Sequence, residues 1–140
     1  VIANDISPEM LRRARTRHLG HSVRWVPGPA EALCLPAGSV DRVVCFQCFP
    51  HFDDPREVLA RFRGMLRPDG LLAIGHFASR RRINRIHSEA ESPVARDLIP
   101  PAREMRRLLR DAGFRVESLV SDPDSYWLLA RHDGHDAASR

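Results

Sequence analysis

Val40-Asp-Arg-Val-Val-Cys-Phe-Gln-Cys-Phe-Pro-His-Phe-Asp-Asp-Pro55 is the stretch whose reading decides the fold. Val43, Val44, Cys45 and Phe46 form a short continuous apolar run, as in a strand buried on both faces of a parallel sheet. The run then breaks into Gln47, Cys48, Phe49, Pro50 and His51, a loop rich in reactive and aromatic side chains. Asp54-Pro55-Arg56-Glu57 predicts a helix start, with Asp54 as cap, Pro55 at the first helical position and Glu57 closing a capping box. In open α/β sheets, ligands bind beyond the carboxyl ends of strands. The loop is therefore expected to form the floor of an active site.

Working outward, the same alternation repeats. Val1 to Asp5 reads as the end of a strand, and Ser7-Pro8-Glu9 as a capped helix start. Met10, Leu11, Ala14 and Leu19 give that helix an apolar stripe, and Gly20 ends it. His21 to Val26 is a second strand, followed by Pro27-Gly-Pro29 and a short helical turn from Ala30. Downstream of Pro55, Val58, Leu59, Phe62, Met65 and Leu66 share one helix face. Arg67-Pro-Asp-Gly70 is a tight turn, and Leu71 to Phe77 a buried strand. Ser79 is placed to cap a short basic helix that Pro93 ends, and Pro100-Pro101 opens a firmer helix with Met105, Leu108, Leu109 and Ala112 inward. Phe114 to Val120 and Ser125 to Ala130 are two strands close enough to pair antiparallel. The order predicts a doubly wound α/β sheet with a terminal antiparallel hairpin, which an all-parallel dinucleotide dehydrogenase domain would lack. Residues 1–131 are read as this domain, with 78–99 as a substrate-facing insertion and 132–140 as a polar tail.

Composition narrows the function. One domain of 140 residues is large enough for a real core. The 43% apolar and 29% charged fractions are those of a globular protein, and no run approaches a membrane span. The net charge of +4 invites a nucleic-acid reading, but all 22 basic residues are arginine and most alternate with acids along helices, which argues against one. Three cysteines without an export signal point to a reducing cytoplasm. Cys45 and Cys48 form a C-x-x-C, but no second ligand pair follows, so no metal site is expected. The two would converge only if the strand ended between them.

Five motifs carry a resemblance: Asp5-Ile-Ser-Pro-Glu-Met-Leu11, Val40-Asp-Arg-Val-Val44, Phe52-Asp-Asp-Pro55, Met65-Leu-Arg-Pro-Asp-Gly-Leu-Leu72 and Ala112-Gly-Phe114. In order and spacing the chain resembles class I S-adenosylmethionine-dependent methyltransferases. The resemblance implies a Rossmann-like sheet with its last strand antiparallel and transfer of a methyl group from S-adenosylmethionine to a small-molecule acceptor. It also implies that this chain starts at the family's second strand. The first strand, its helix and the glycine-rich loop between them find no match here, a shortfall of about 35–50 residues if one βα unit is absent. The 140 residues alone are accordingly expected to bind the cofactor poorly and to be inactive.

By the same resemblance Asp5 accepts hydrogen bonds from the two ribose hydroxyls, with Ile6 beside it. Ala30 and Glu31 border the adenine; Pro29 stands where the family usually has an acid. Phe46, Gln47 and Cys48 border the methionine part and the sulfonium. His51 is the candidate base, as the group in that loop that titrates near neutrality. His76, Asn84 and His87 are candidate substrate residues, and Arg80, Arg81, Arg82 and Arg85 are placed to attract an anion. Asp41 is read as structural. Two other functions fit parts of the pattern: a nucleotide-binding oxidoreductase of the NAD type, and a degenerate methyltransferase-like module that binds without catalysing.

Overall fold

The computed structural model describes residues 1–17, 22–90 and 93–134. The chain divides into two compact units, Val1–Leu35 and Pro36–Arg140.

In the first unit, β1 (Ile2–Asp5) pairs in parallel with β2 (Arg24–Pro27), joined through α1 (Pro8–Arg15). The Ser7 hydroxyl caps α1 by accepting from the Met10 N–H at 3.3 Å, as the sequence predicts. Leu11 is buried, but Met10 is 52% exposed and lies outside the expected stripe. Leu19, Gly20 and His21 lie outside the described residues. A 3-10 turn over Ala30–Ala32 follows β2.

In the second unit, β3 (Val40–Phe46), β4 (Leu66–His76), β5 (Phe114–Ser121) and β6 (Tyr126–His132) form one sheet in the order β3-β4-β6-β5. β3 and β4 are parallel; β6 runs antiparallel to both β4 and β5. The expected hairpin is present, and its reversed strand is inserted one place in from the edge. α2 (Pro55–Met65) has the predicted cap: the Asp54 carboxylate accepts from the Arg56 N–H at 2.8 Å and the Glu57 N–H at 3.3 Å. Glu57 itself turns to Arg61 one helical turn on, so its carboxylate is used along the helix rather than in a capping box. Val58, Leu59, Phe62 and Met65 are buried, as the stripe requires.

The Arg67–Gly70 turn does not separate two elements. It is an excursion inside β4, where the register jumps from Val40↔Leu66 to Arg42↔Leu71. Asp69 supplies the left-handed residue there, at φ 62°. Gly70 is required by space, because a Cβ would lie 2.8 Å from the Arg67 carbonyl oxygen. Asp41 pairs with Arg67 at 2.7 Å and holds the excursion to the start of β3, a structural part.

The sheet has unequal faces. Leu72, Ile74, Leu128 and Ala130 line the buried one, with Cys45 at 2% exposure. Val44, Phe46, Val120 and Trp127 point the other way and are exposed, so β3 is buried on one face and not on two. The apolar run in β3 misled because the whole face that carries Val44, Phe46, Val120 and Trp127 is left open, on the inner strand β6 as on β3. On the open face Phe46 stacks on Trp127 and meets Phe77 edge-on, with centroids 5.8 and 4.7 Å apart.

After β4, α3 (Arg80–Ser88) is capped by Ser79 and buries Ile83. A 3-10 turn (Pro93–Arg96) and α4 (Ala102–Asp111) lead to Gly113, whose φ of 80° ends α4. Among the described residues, no helix is long and apolar enough to cross a membrane.

Candidate functional site

In the first unit the chemistry gathers at the carboxyl tip of β1. Asp5 Oδ1 accepts from the Ser7 N–H at 2.8 Å, which fixes the carboxylate at the mouth of α1. Asn4 stitches the next loop to this tip: its Nδ2 donates to the carbonyls of Val26 (3.0 Å) and Gly28 (2.9 Å). The Gly28 N–H returns a bond to the Asp5 carbonyl at 3.0 Å. The Pro27-Gly-Pro29 loop is thus sewn to the strand that carries Asp5, a role for Asn4 that local sequence does not announce. Ala30 opens the 3-10 turn, so its N–H has no acceptor within the turn. Glu31 is half-buried and Ile6 is 73% exposed.

In the second unit β3 ends at Phe46, and Gln47 takes a left-handed conformation at φ 56°. Its N–H donates to the Gly75 carbonyl at 2.9 Å, which pins the turn to the neighbouring strand. A bulky residue held at positive φ is uncommon and marks a constrained position. The turn folds Cys48 back over Cys45, and their sulfurs lie 3.2 Å apart. The condition for convergence is met because the strand does end between them. Cys45 is buried, and the Cys48 hydrogen bond together with burial pushes its thiol far above the usual range. Among the described residues, no group of three or more histidine, cysteine or acidic side chains has the geometry to hold a metal ion.

The loop continues as a 3-10 turn, Phe49–His51, with Phe49 and Pro50 buried under it. His51 is thereby presented to Asp97, and its Nδ1 meets Asp97 Oδ2 at 2.8 Å. His87, on α3, hydrogen-bonds through Nδ1 to the Asp97 carbonyl. The two imidazoles are tilted by 36° to one another, 5.0 Å between centroids. One residue therefore holds two histidines, and each Nδ1 faces an oxygen that only accepts, which fixes both as Nδ1–H tautomers and leaves both Nε2 atoms as acceptors.

Asn84 serves this arrangement from beneath. Its Nδ2 donates to the Ile99 carbonyl at 2.9 Å and its Oδ1 accepts from the Ile99 N–H at 2.8 Å. Both ends of the amide are spent on the segment that carries Asp97, so Asn84 acts as a clamp. His76, the last residue of β4, is only 4% exposed. Burial, with help from nearby His51 and His87, lowers its pKa to about 4, so it is neutral at pH 7.

The structure brings together His51, His76 and His87, three residues that the sequence places 36 positions apart at most. It adds Asp97 and, beside His76, Tyr126, with ring centroids 6.3 Å apart. Neither was legible beforehand: Asp97 sits in the weakly patterned stretch after α3, and Tyr126 reads as an ordinary strand aromatic. Arg80, Arg81, Arg82 and Arg85 line open clefts at the start of α3, as their charge suggested.

Residues 1–74 match the family model for the methyltransferase domain. An uncharacterized methyltransferase of Mycobacterium tuberculosis is 35% identical over 79 residues, which is 56% of this chain and 40% of that protein. The chain spans about two fifths of the length of the curated relatives it matches. Among solved structures, a chain in the Haloferax volcanii complex of the Trm112 methyltransferase activator with its methyltransferase aligns with a TM-score of 0.81 at 18% identity, covering 94% of this chain and 71% of that one. A S-adenosylmethionine-dependent methyltransferase of Aquifex aeolicus aligns with a TM-score of 0.71 at 22% identity, covering 94% and 68%.

Proposed function

Since this chain belongs to the class I S-adenosylmethionine-dependent methyltransferases, we propose that it serves methyl transfer to a small-molecule acceptor whose nucleophile carries a proton, with His51 as the base. The observation that carries this reading is the His51–Asp97 contact at 2.8 Å. An imidazole oriented by a carboxylate through Nδ1 presents its other nitrogen as a proton acceptor.

The cofactor supplies a methyl group on a sulfonium: the acceptor's lone pair forms the new bond to carbon, and the carbon–sulfur pair returns to sulfur. The chain's part is to orient, to exclude water and to take one proton. Asp5 fits the ribose, since its Oδ1 is anchored by Ser7 and its other oxygen has no protein contact among the described residues. Ile6, the Ala30 N–H and Glu31 are assigned to the adenine side. Phe46, Gln47 and Cys48 are assigned to the methionine side, which the left-handed turn at Gln47 shapes. His51 Nε2 accepts the acceptor's proton and Asp97 holds the resulting imidazolium. His76 and His87 are assigned to the acceptor, with Asn84 keeping the Asp97 segment in place. The odd number of cysteines supports a reducing cytoplasm as its compartment.

Long-range proton–nitrogen NMR tests the dyad directly. His51 should be an Nδ1–H tautomer, and Asp97→Asn should produce a mixture of tautomers. In any form of the protein that turns over, His51→Ala should lower the rate and leave cofactor affinity alone. A variant that keeps its rate across about pH 5–9, the range in which a histidine titrates, would make His51 structural.

A further inference from the structure

The buried face of the sheet is apolar along Leu72, Ile74, Leu128 and Ala130, and turns polar in its last row. That row is His76 and Tyr126, which are partners across β4 and β6. They are 4% and 1% exposed, and among the described residues neither His76 Nε2 nor Tyr126 Oη has a hydrogen-bond partner. A buried unpaired polar atom is destabilising, because it gives up its hydrogen bonds to water and gains none in return. Two side by side, where phenylalanine or leucine would fit the same space, are hard to account for as packing. Such a pair marks a place completed by something the fold itself does not provide.

The surroundings give that something a sign: the Arg80 and Arg106 guanidiniums act on Tyr126. Asp97 is committed to His51. Burial raises the Tyr126 hydroxyl to about 12, so it stays a donor at neutral pH. A cleft of about 420 Å³ is lined by Ser79, Arg80, Arg81, Ser121, Asp122 and Pro123. Ser121 is the β5 partner of Tyr126, and its hydroxyl accepts from the Arg80 N–H at 3.3 Å, so the cleft reaches the strand pair that carries Tyr126. Asp122 stays ionised in that lining, its charge partly offset by the Asp124 and Ser125 N–H groups and the Ser125 hydroxyl that donate to it.

We propose that His76 and Tyr126 form the inner wall of a recognition site for a carboxylate group on the methyl acceptor, with Arg80 and Arg106 balancing its charge. The Tyr126 hydroxyl donates to one carboxylate oxygen and His76 donates through Nε2 to the other. This inference rests on the methyltransferase reading for the word acceptor, but the site itself is tested by binding alone.

The test is an NMR titration of the 140-residue chain with benzoate, and with benzyl alcohol as the neutral analogue of similar shape. Benzoate should shift the ring signals of His76 and Tyr126 and raise the His76 pKa by one unit or more, because an anion favours the imidazolium; benzyl alcohol should do neither. Tyr126→Phe should weaken benzoate at least fivefold while the melting temperature holds or rises, since a buried unpaired hydroxyl is removed. Arg106→Gln, on the exposed side of α4, should weaken benzoate at least twofold without threatening the fold. Equal effects of the two probes, no effect of either, or full benzoate affinity in Tyr126→Phe would overturn the proposal. Failure of benzoate with intact S-adenosylhomocysteine binding sinks this inference alone; benzoate binding without S-adenosylhomocysteine binding keeps the site and removes the methyl acceptor from its description.

Discussion

Replacing Gly75 by alanine should loosen the aromatic cluster beside the loop that follows β3. Gly75 sits across from Trp127 in the β4–β6 ladder and beside Phe46 in the β3–β4 ladder. A Cβ at Gly75 would lie 2.3 Å from Trp127 Cζ3 and 2.7 Å from both Cε3 and Cη2. Those are overlaps, so the indole must leave its place over the strand. Overpacking of this kind costs about 1–3 kcal/mol. Losing the Phe46–Trp127 stack adds about 0.5–1.5 kcal/mol. Against this, alanine is favoured over glycine in a strand by about 0.5–1 kcal/mol. The balance is a destabilisation of about 1–3 kcal/mol, softened because Trp127 is 37% exposed and has room to swing outward. Urea unfolding followed by tryptophan emission measures it, in a Trp25→Phe background that isolates Trp127. The midpoint should fall by about 1 M, given a slope of about 1–3 kcal/mol per M, and native emission should shift to the red. An unchanged midpoint and spectrum would refute the reasoning, because the indole would not then occupy the space above Gly75.

Three further outcomes follow from named contacts. His76 is held neutral in the folded chain at a pKa of about 4, against 6.5 when unfolded, so the unfolded chain binds more protons between those values; stability should be complete above about pH 6.5 and fall by about 2–3 kcal/mol as pH drops toward 4, and His76→Phe should flatten that slope in urea melts taken at several pH values. Iodoacetamide should label exposed Cys34 first and leave buried Cys45 unmodified until the chain unfolds, read by peptide mass spectrometry; prompt labelling of Cys45 would contradict its burial. Asp54→Ala removes the cap on the Arg56 and Glu57 N–H groups and should cost about 1 kcal/mol in thermal unfolding.

What could be read from the sequence was what local chemistry decides. The Ser7 and Asp54 caps, the left-handed Asp69 and the Gly113 terminator each depend on neighbours within a few residues, and all stand where their residue types predict. What could not be read depends on packing across the chain. The His51–Asp97 dyad joins residues 46 apart through a segment with no periodic pattern. The Cys45–Cys48 approach needs a left-handed Gln47, a conformation that sequence rules reserve for glycine and asparagine. Tyr126 becomes notable only when the strand register sets it against His76. Val44 reads as core because hydrophobicity alone does not tell an open sheet face from a covered one.

The central claim is that this chain handles S-adenosylmethionine, with Asp5 on its ribose and the Phe46–Cys48 turn on its methionine end. The most direct measurement is a pair of NMR titrations of the chain, one with S-adenosylhomocysteine and one with NAD, in which even weak binding is visible. S-adenosylhomocysteine should move the amide signals of Asp5, Ile6, Gln47 and Cys48, Asp5→Ala should weaken that binding by about 1.5–3 kcal/mol, the range for a hydrogen bond to a charged group, and NAD should leave those signals in place. Movement of the same signals by NAD and not by S-adenosylhomocysteine, or an unchanged affinity in Asp5→Ala, would contradict the account.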